Sequence, residues 1–325
     1  MTGQPAQRPS ATTSAALAFV DDHRAPAARI AARLVALVDD PERFAAALDD
    51  GLAALADPVF AEGLLRVAPG IEGAAGVRGP LLGIVESGVR RDLRGVEPAR
   101  VLAIADRVGR SGAAESRWFA IHLMDGIVLA DPERTWQLMR GVARSAREWI
   151  TVDTLASPYA RGVLAEPYRW SEIEQVVFSP SAWERRLAGS SIARMPYVDR
   201  ARGRRPQVAE RGLEVIGSLI GDSSPDVQKA LSWALRTLAL LDSPTVARFC
   251  LAQAEQAAAQ DDGHRAWVLR DAAPKLPARD AEAIRTLVAG IRRRPGSSST
   301  STAALTAARF GELPPPASHP MAPFP

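Results

Sequence analysis

The chain has 325 residues, 47% of them hydrophobic and 24% charged, with a formal net charge of +3. That is an ordinary globular composition, long enough to bury a core without disulfides or metals. One cysteine, Cys250, and four scattered histidines, His23, His122, His264 and His319, exclude a disulfide framework and a Cys-cluster zinc site and argue against any metal centre. No apolar run approaches the roughly 20 residues that span a bilayer. The opening MTGQPAQRPSATTSAALAFV makes a poor signal peptide, so a cytoplasmic protein with no membrane partner is expected.

In chain order, residues 1–12 are polar and are expected to be disordered. Residues 13–75 read as an acidic helical segment; the first 75 residues hold six Arg against ten Asp or Glu, a balance of −4. Residues 76–295 read as the main helical domain. The tail, 296–325, is rich in Ser, Thr and Pro and is expected to be disordered. Between the ends, apolar residues recur at three- and four-residue spacing, as in Ile30, Leu34, Leu37 and Val38, or Val215, Ile216, Leu219 and Ile220. No alternating strand pattern is present.

The punctuation is regular. Asp40-Pro41, Asp131-Pro132, Ser179-Pro180, Ser224-Pro225 and Ser243-Pro244 each set an N-cap residue before a proline at the first helical position. Helices of about 12–18 residues joined by short links predict an all-α fold. The specific expectation is a HEAT-like α-solenoid of antiparallel helix pairs with a concave basic face. An irregular helical bundle is the alternative.

Of the forty basic residues, only Lys229 and Lys275 are lysines, so nearly all the positive charge is guanidinium, which binds phosphate in a bidentate fork. Residues 185–211 hold eight Arg against Asp199 and Glu210, a balance of +6. Such a block suits a polyanion partner; a solvated basic loop is the alternative.

Several side chains stand out against this background. Trp149 and Asp153 lie four apart and share a helix face; a core tryptophan with a first-turn carboxylate would look the same. Trp183 and Arg186 open the next such segment, where the adjacent Arg185 and Arg186 cannot both point into the core, so at least one should face a partner. Lys229, Trp233 and Arg236 form a stripe opposite the apolar face of Ala230, Leu231, Ala234, Leu235 and Leu238. An indole flanked by two cations suits a phosphate backbone and a stacked nucleotide.

These residues carry a resemblance to the AlkD-type DNA alkylation repair family, HEAT-repeat glycosylases that remove alkylated purines. Trp149, Val152 and Asp153 match its W-x-x-V-D pattern. Arg186 matches an arginine three residues after a tryptophan, and Gln228, Lys229, Ala230, Trp233, Leu235 and Arg236 match its Q-K-A-x-x-W-x-L-R helix. Gly76–Pro80 resembles its G-[IV]-x-x-P turn, and Glu115–Met124 its E-x-x-x-x-A-x-x-x-M helix. The chain departs in having no tyrosine about ten residues before the turn, Arg78 within it, and a longer, acidic N-terminus.

The resemblance implies catalytic roles for Asp153, Trp149, Trp233 and Arg186, with Lys229, Arg236, Arg185 and Arg78 as DNA-binding residues. The implied substrate is double-stranded DNA carrying cationic N3- or N7-alkylpurines, excised at the duplex surface without base flipping into a pocket. No cofactor or metal is implied, and the protein is expected to act as a monomer. No lysine lies near Asp153, so an abasic site is expected as the product, without lyase chemistry. A non-catalytic HEAT-repeat protein for damaged or branched DNA, and a protein-interaction solenoid, are the alternatives.

Overall fold

A computed structural model describes residues 10–309 of the chain. The described residues contain seventeen α-helices, two short 3-10 turns and no strand. They divide into two compact units that separate after Asp131.

The first unit holds α1 (Ala11–Val35), α2 (Pro41–Ala54), α3 (Pro58–Val67), α4 (Gly79–Asp92), α5 (Pro98–Gly109) and α6 (Ala114–Ile127). Here α1 packs on α4, α2 on α5, and α5 on α6. Phe44 and Phe119, both fully buried, meet with ring centroids 6.2 Å apart. The acidic N-terminal segment is thus built into the same core as residues 76–131. The division into compact units falls after Asp131, inside the 76–295 segment read from the sequence. The physical tie is Glu115, which has no exposed surface and accepts the backbone N–H groups of Ala75 at 2.9 Å, Gly76 at 2.7 Å and Val77 at 3.0 Å. Two motifs some 40 residues apart in sequence are therefore one structure: the glutamate holds the turn.

The second unit holds α7 (Pro132–Ser145), α8 (Trp149–Ala165), α9 (Trp170–Val176), α10 (Ala182–Val198), α11 (Arg200–Gly203), α12 (Pro206–Leu219), α13 (Pro225–Leu238), α14 (Ser243–Gln260), α15 (Gly263–Ala272), α16 (Ala278–Leu287) and α17 (Thr302–Ala308). Helices α8, α10, α13 and α15 lie side by side in that order, each packed on the next, as expected of a solenoid-like succession. Their register is regular. Ser190 bonds to Asp153, Arg194 to Ser157, and Arg161 to the carbonyl of Val198, each across 37 residues. At one point α10 and α13 come very close: a Cβ added at Gly189 would lie 3.0 Å from the backbone carbon and Cβ of Ala230.

Three local expectations are corrected. Helix α10 begins at Ala182, not at Ser179-Pro180, because Ser179 turns its hydroxyl to the N–H of Ser181 and to Glu184. Helix α14 is capped by Asp242, one residue before the expected Ser243. The ends are ordered further than expected: α1 already includes Ala11 and Thr12, and 296–309 is folded onto the second unit. The N–H of Thr300 donates to the carbonyl of Gly221 at 2.9 Å, the N–H of Ser223 donates to Ser299 at 2.7 Å, and Ser301 caps α17. Polar composition did not prevent order because these hydroxyls satisfy backbone and carboxylate groups of the helices beneath. The remaining parts of the expected disordered ends, 1–9 and 310–325, lie outside the described residues.

Candidate active site

The site begins at the start of α8. Glu148, almost fully buried, caps this helix by accepting the N–H groups of Ile150 and, at 2.9 Å, Thr151. The cap fixes Trp149 as the first helical residue, half-buried, and sets Asp153 one turn further on the same face. The carboxylate of Asp153 keeps 20% of its side-chain surface exposed.

Helix α10 supplies the groups that hold it. Arg186 donates Nε–H to Asp153 Oδ1 at 3.0 Å and Nη2–H to Oδ2 at 2.7 Å, a bidentate fork. Ser190, with no exposed surface, donates its hydroxyl to Oδ1 at 2.7 Å. The Nη1 of Arg186 reaches across to α13, where it donates to the carbonyl of Asp226 at 2.7 Å. Arg186 is 5% exposed. Among the described residues, Asp153 Oδ1 thus accepts two hydrogen bonds and Oδ2 one, so the spare acceptor capacity of the carboxylate is on Oδ2.

Helix α13 carries the remaining groups. Trp233 is half-buried and lies two turns after Asp226 on the same face. Lys229 is exposed, with its Nζ 3.9 Å from Asp226 Oδ1. Arg236 is ion-paired to Asp271 of α15. The structure therefore assembles Asp153, Arg186 and the backbone of Asp226 across three neighbouring helices. Trp149 and Trp233 lie half-buried on the outer two.

Four of the arginines expected to act on DNA make ion pairs within the protein. Arg185, partly buried, pairs with Asp222 at 2.7 Å, and Arg186 with Asp153. Asp222 is 1% exposed. Arg185 also donates to the carbonyls of Ser179 and Pro180, so it ties α10 to the turn before α13. In the first unit, Arg78 pairs with Asp57 at 2.6 Å and lies over the Phe60 ring at 5.1 Å. Burial would push the Asp57 carboxyl up, but Arg78 and the N–H groups of Phe60 and Val59 outweigh it and hold it below the usual carboxylate range. Arg236 is likewise partnered, which leaves Lys229 as the more open of the two cations beside Trp233.

Sequence reasoning missed Ser190 and the carbonyl of Asp226. A search at a 37-residue offset would have found the serine, which stands one helix step beyond Asp153. Among the described residues no group of three His, Cys, Asp or Glu side chains is arranged to hold a metal ion. No described helix is long and apolar enough to cross a membrane.

A search of curated proteins returns no match. The sequence model of a family described as DNA alkylation repair enzyme matches residues 48–284, a span that includes the Glu115-bound turn and every residue of the Trp149–Asp153–Arg186–Trp233 arrangement. With almost three quarters of its length in that match, the chain belongs to the DNA alkylation repair enzyme family.

Proposed function

We propose that the protein is a monofunctional DNA glycosylase. It hydrolyses the N-glycosidic bond of cationic N3- or N7-alkylpurines in duplex DNA and leaves an abasic site, acting as a cytoplasmic monomer at the nucleoid. The observation that carries this reading is Asp153: a partly open carboxylate, fixed by Arg186 and Ser190 with Oδ2 its less occupied oxygen, between helices that each bear a half-buried tryptophan.

An alkylated purine already carries positive charge, so its departure needs no general acid. What must be stabilised is the oxocarbenium-like sugar, and what must be supplied is water. On this reading the fixed charge of Asp153 opposes the sugar cation without reorganising, and Oδ2, with acceptor capacity to spare, orients or deprotonates the water. The indole faces of Trp149 and Trp233 attract a cationic base and polarised sugar C–H bonds. Arg186 acts first as the holder of Asp153. Two of its five N–H groups remain for a phosphate of the bound duplex. Lys229 is the second phosphate contact. Neither Arg185 nor Arg78 is assigned to DNA, because both are committed to internal carboxylates.

One observation favours a second reading. A bidentate Arg–Asp pair reinforced by a buried serine is also what a structural clasp between α8 and α10 would look like, as in a non-catalytic DNA-binding relative. Release of 7-methylguanine from methylated duplex separates the two. The glycosylase reading expects wild-type release that Asp153→Asn removes. No release by the wild type, with duplex binding intact, would establish the clasp instead.

A further inference from the structure

Beyond the family-matched residues, the chain folds back across the end of the second unit. Arg292 runs so close to Gly263, the first residue of α15, that a Cβ on that glycine would collide with the carbonyl of Arg292. Ser297 bonds to the Nε2 of His264 at 2.9 Å, and Thr300 bonds to Asp262. The segment is therefore seated, and it delivers two exposed arginines to a defined place. Arg293 sets its guanidinium over the Trp267 ring, 4.8 Å from the centroid, and donates to Gln228 Oε1 at 2.9 Å. Among the described residues, the Arg292 guanidinium donates only to the carbonyl of Ile291. Arg270 of α15 donates to the carbonyl of Val288 at 3.0 Å. Burial, then the charges of Arg292 and Arg293, push the Arg270 guanidinium below its usual range.

Among the described residues, none of these three guanidiniums has a carboxylate within ion-pairing distance. Arg185, Arg186, Arg236 and Arg294 nearby in the same unit all have one. Three like charges gathered without a counter-ion are unfavourable unless an external anion completes them. Arg293 bridges Gln228 of α13 and Trp267 of α15, so an anion bound by this group would lie beside those two helices.

We infer that Arg270, Arg292 and Arg293, backed by Trp267, form a phosphate clamp for the backbone of duplex DNA, one that lengthens the footprint beyond the catalytic helices. The inference rests on the glycosylase reading only for the identity of the polyanion. Trp267 lies under the Arg293 guanidinium, whose fork suits bidentate contact to a phosphodiester. The clamp reads no sequence, since its donors are backbone-binding guanidiniums.

The test uses the full chain and undamaged duplexes of about 12 and 24 base pairs, titrated from 50 to 200 mM salt. Arg292→Gln with Arg293→Gln should lower the slope of log affinity against log salt by about two units on the longer duplex, roughly 0.9 per lost phosphate contact. At about 0.1 M salt the affinity should fall on the order of ten- to a hundredfold. Single-turnover release of 7-methylguanine at saturating protein should be unchanged. The single variant Arg292→Gln, whose side chain supports no other residue, should show half the slope change if the double variant fails to fold. An unchanged slope in both variants, with wild-type binding and excision normal, would overturn the clamp alone. A wild type that binds duplex in a salt-dependent way but excises nothing would sink the glycosylase reading and leave the clamp standing. A wild type that binds no duplex would overturn the clamp whatever its excision assay shows.

Discussion

Arg186 grips both oxygens of Asp153, at 3.0 and 2.7 Å, so the orientation of a carboxylate on α8 is set by α10. Its third hydrogen bond, to the carbonyl of Asp226 at 2.7 Å, makes α13 part of the same arrangement. Asp153→Asn keeps an acceptor for Arg186 but loses the charge that opposes a sugar cation. Excision should vanish, while affinity for undamaged duplex holds or rises as a repulsive charge near phosphates is removed. Thermal melting should report a loss of about 1–3 kcal/mol. Binding and activity lost in equal measure would make Asp153 structural.

Arg186→Lys tests the fork itself. An ammonium cannot bond both oxygens in one plane, so Asp153 is left free to rotate. Excision should slow by on the order of ten- to a hundredfold with little change in KM. An unaltered kcat would mean that Ser190 suffices to orient the carboxylate.

The charge-stabilisation mechanism restricts the substrates. Cationic 7-methylguanine and 3-methyladenine should be excised; hypoxanthine, uracil and 1,N6-ethenoadenine should not. Replacing Trp149 or Trp233 with leucine keeps bulk and removes the ring quadrupole, a contact of about 0.5–2 kcal/mol. Each change should slow release several- to tens-fold, less than Asp153→Asn. Robust excision of a neutral base would contradict the mechanism.

Glu115→Gln should destabilise the first unit. The carboxylate accepts three backbone N–H groups, whereas an amide presents its own N–H to at least one of them. A cost of about 2–3 kcal/mol follows from a buried donor left unsatisfied, read as a lowered melting temperature. An unchanged melt would show that the turn over Gly76–Pro80 does not need its glutamate.

Glu86 gives the first unit a pH dependence. Burial raises its carboxyl to about 7, against a partial opposing effect of Arg90. A raised acid favours the folded state below its unfolded value, near 4.5, and that contribution is lost as pH climbs through about 7. Glu86→Gln should therefore melt higher than wild type at about pH 8, by at most about 3 kcal/mol, and should gain nothing at about pH 4. His122, 3.7 Å away, runs oppositely: burial, then Arg90, lower it, so its contribution fades as pH falls. A constant difference between the two proteins from pH 4 to 8 would refute the assignment.

Much of this was legible in the residues. Helix content, the proline-marked starts at Pro41, Pro132 and Pro225, and the Trp149–Asp153 pair follow from period and capping, which are local. What could not be read was which charges would meet. Arg185 and Arg186 look alike in sequence, yet one closes on Asp222 and the other on Asp153, because helix rotation and the 37-residue register decide the partner. The partners of Glu115 and of the tail at 297–301 escaped for the same reason: the turn at 75–77, the link after α12 at Gly221 and the start of α15 at Asp262 are distant in sequence.

The contact of Gly189 with Ala230 has a consequence for the site one turn away. A single methyl added at residue 189 would sit 3.0 Å from Ala230 and 3.2 Å from its carbonyl oxygen, and could be relieved only by parting α10 from α13 by a few tenths of an ångström. Arg186 lies three residues earlier on α10, and its bond to the carbonyl of Asp226 spans the same gap. The spacing of the two helices acts as a gauge for the arginine: the hydrogen atom at Gly189 sets how far the guanidinium must reach, and a bulkier residue there would detune the carboxylate without touching it.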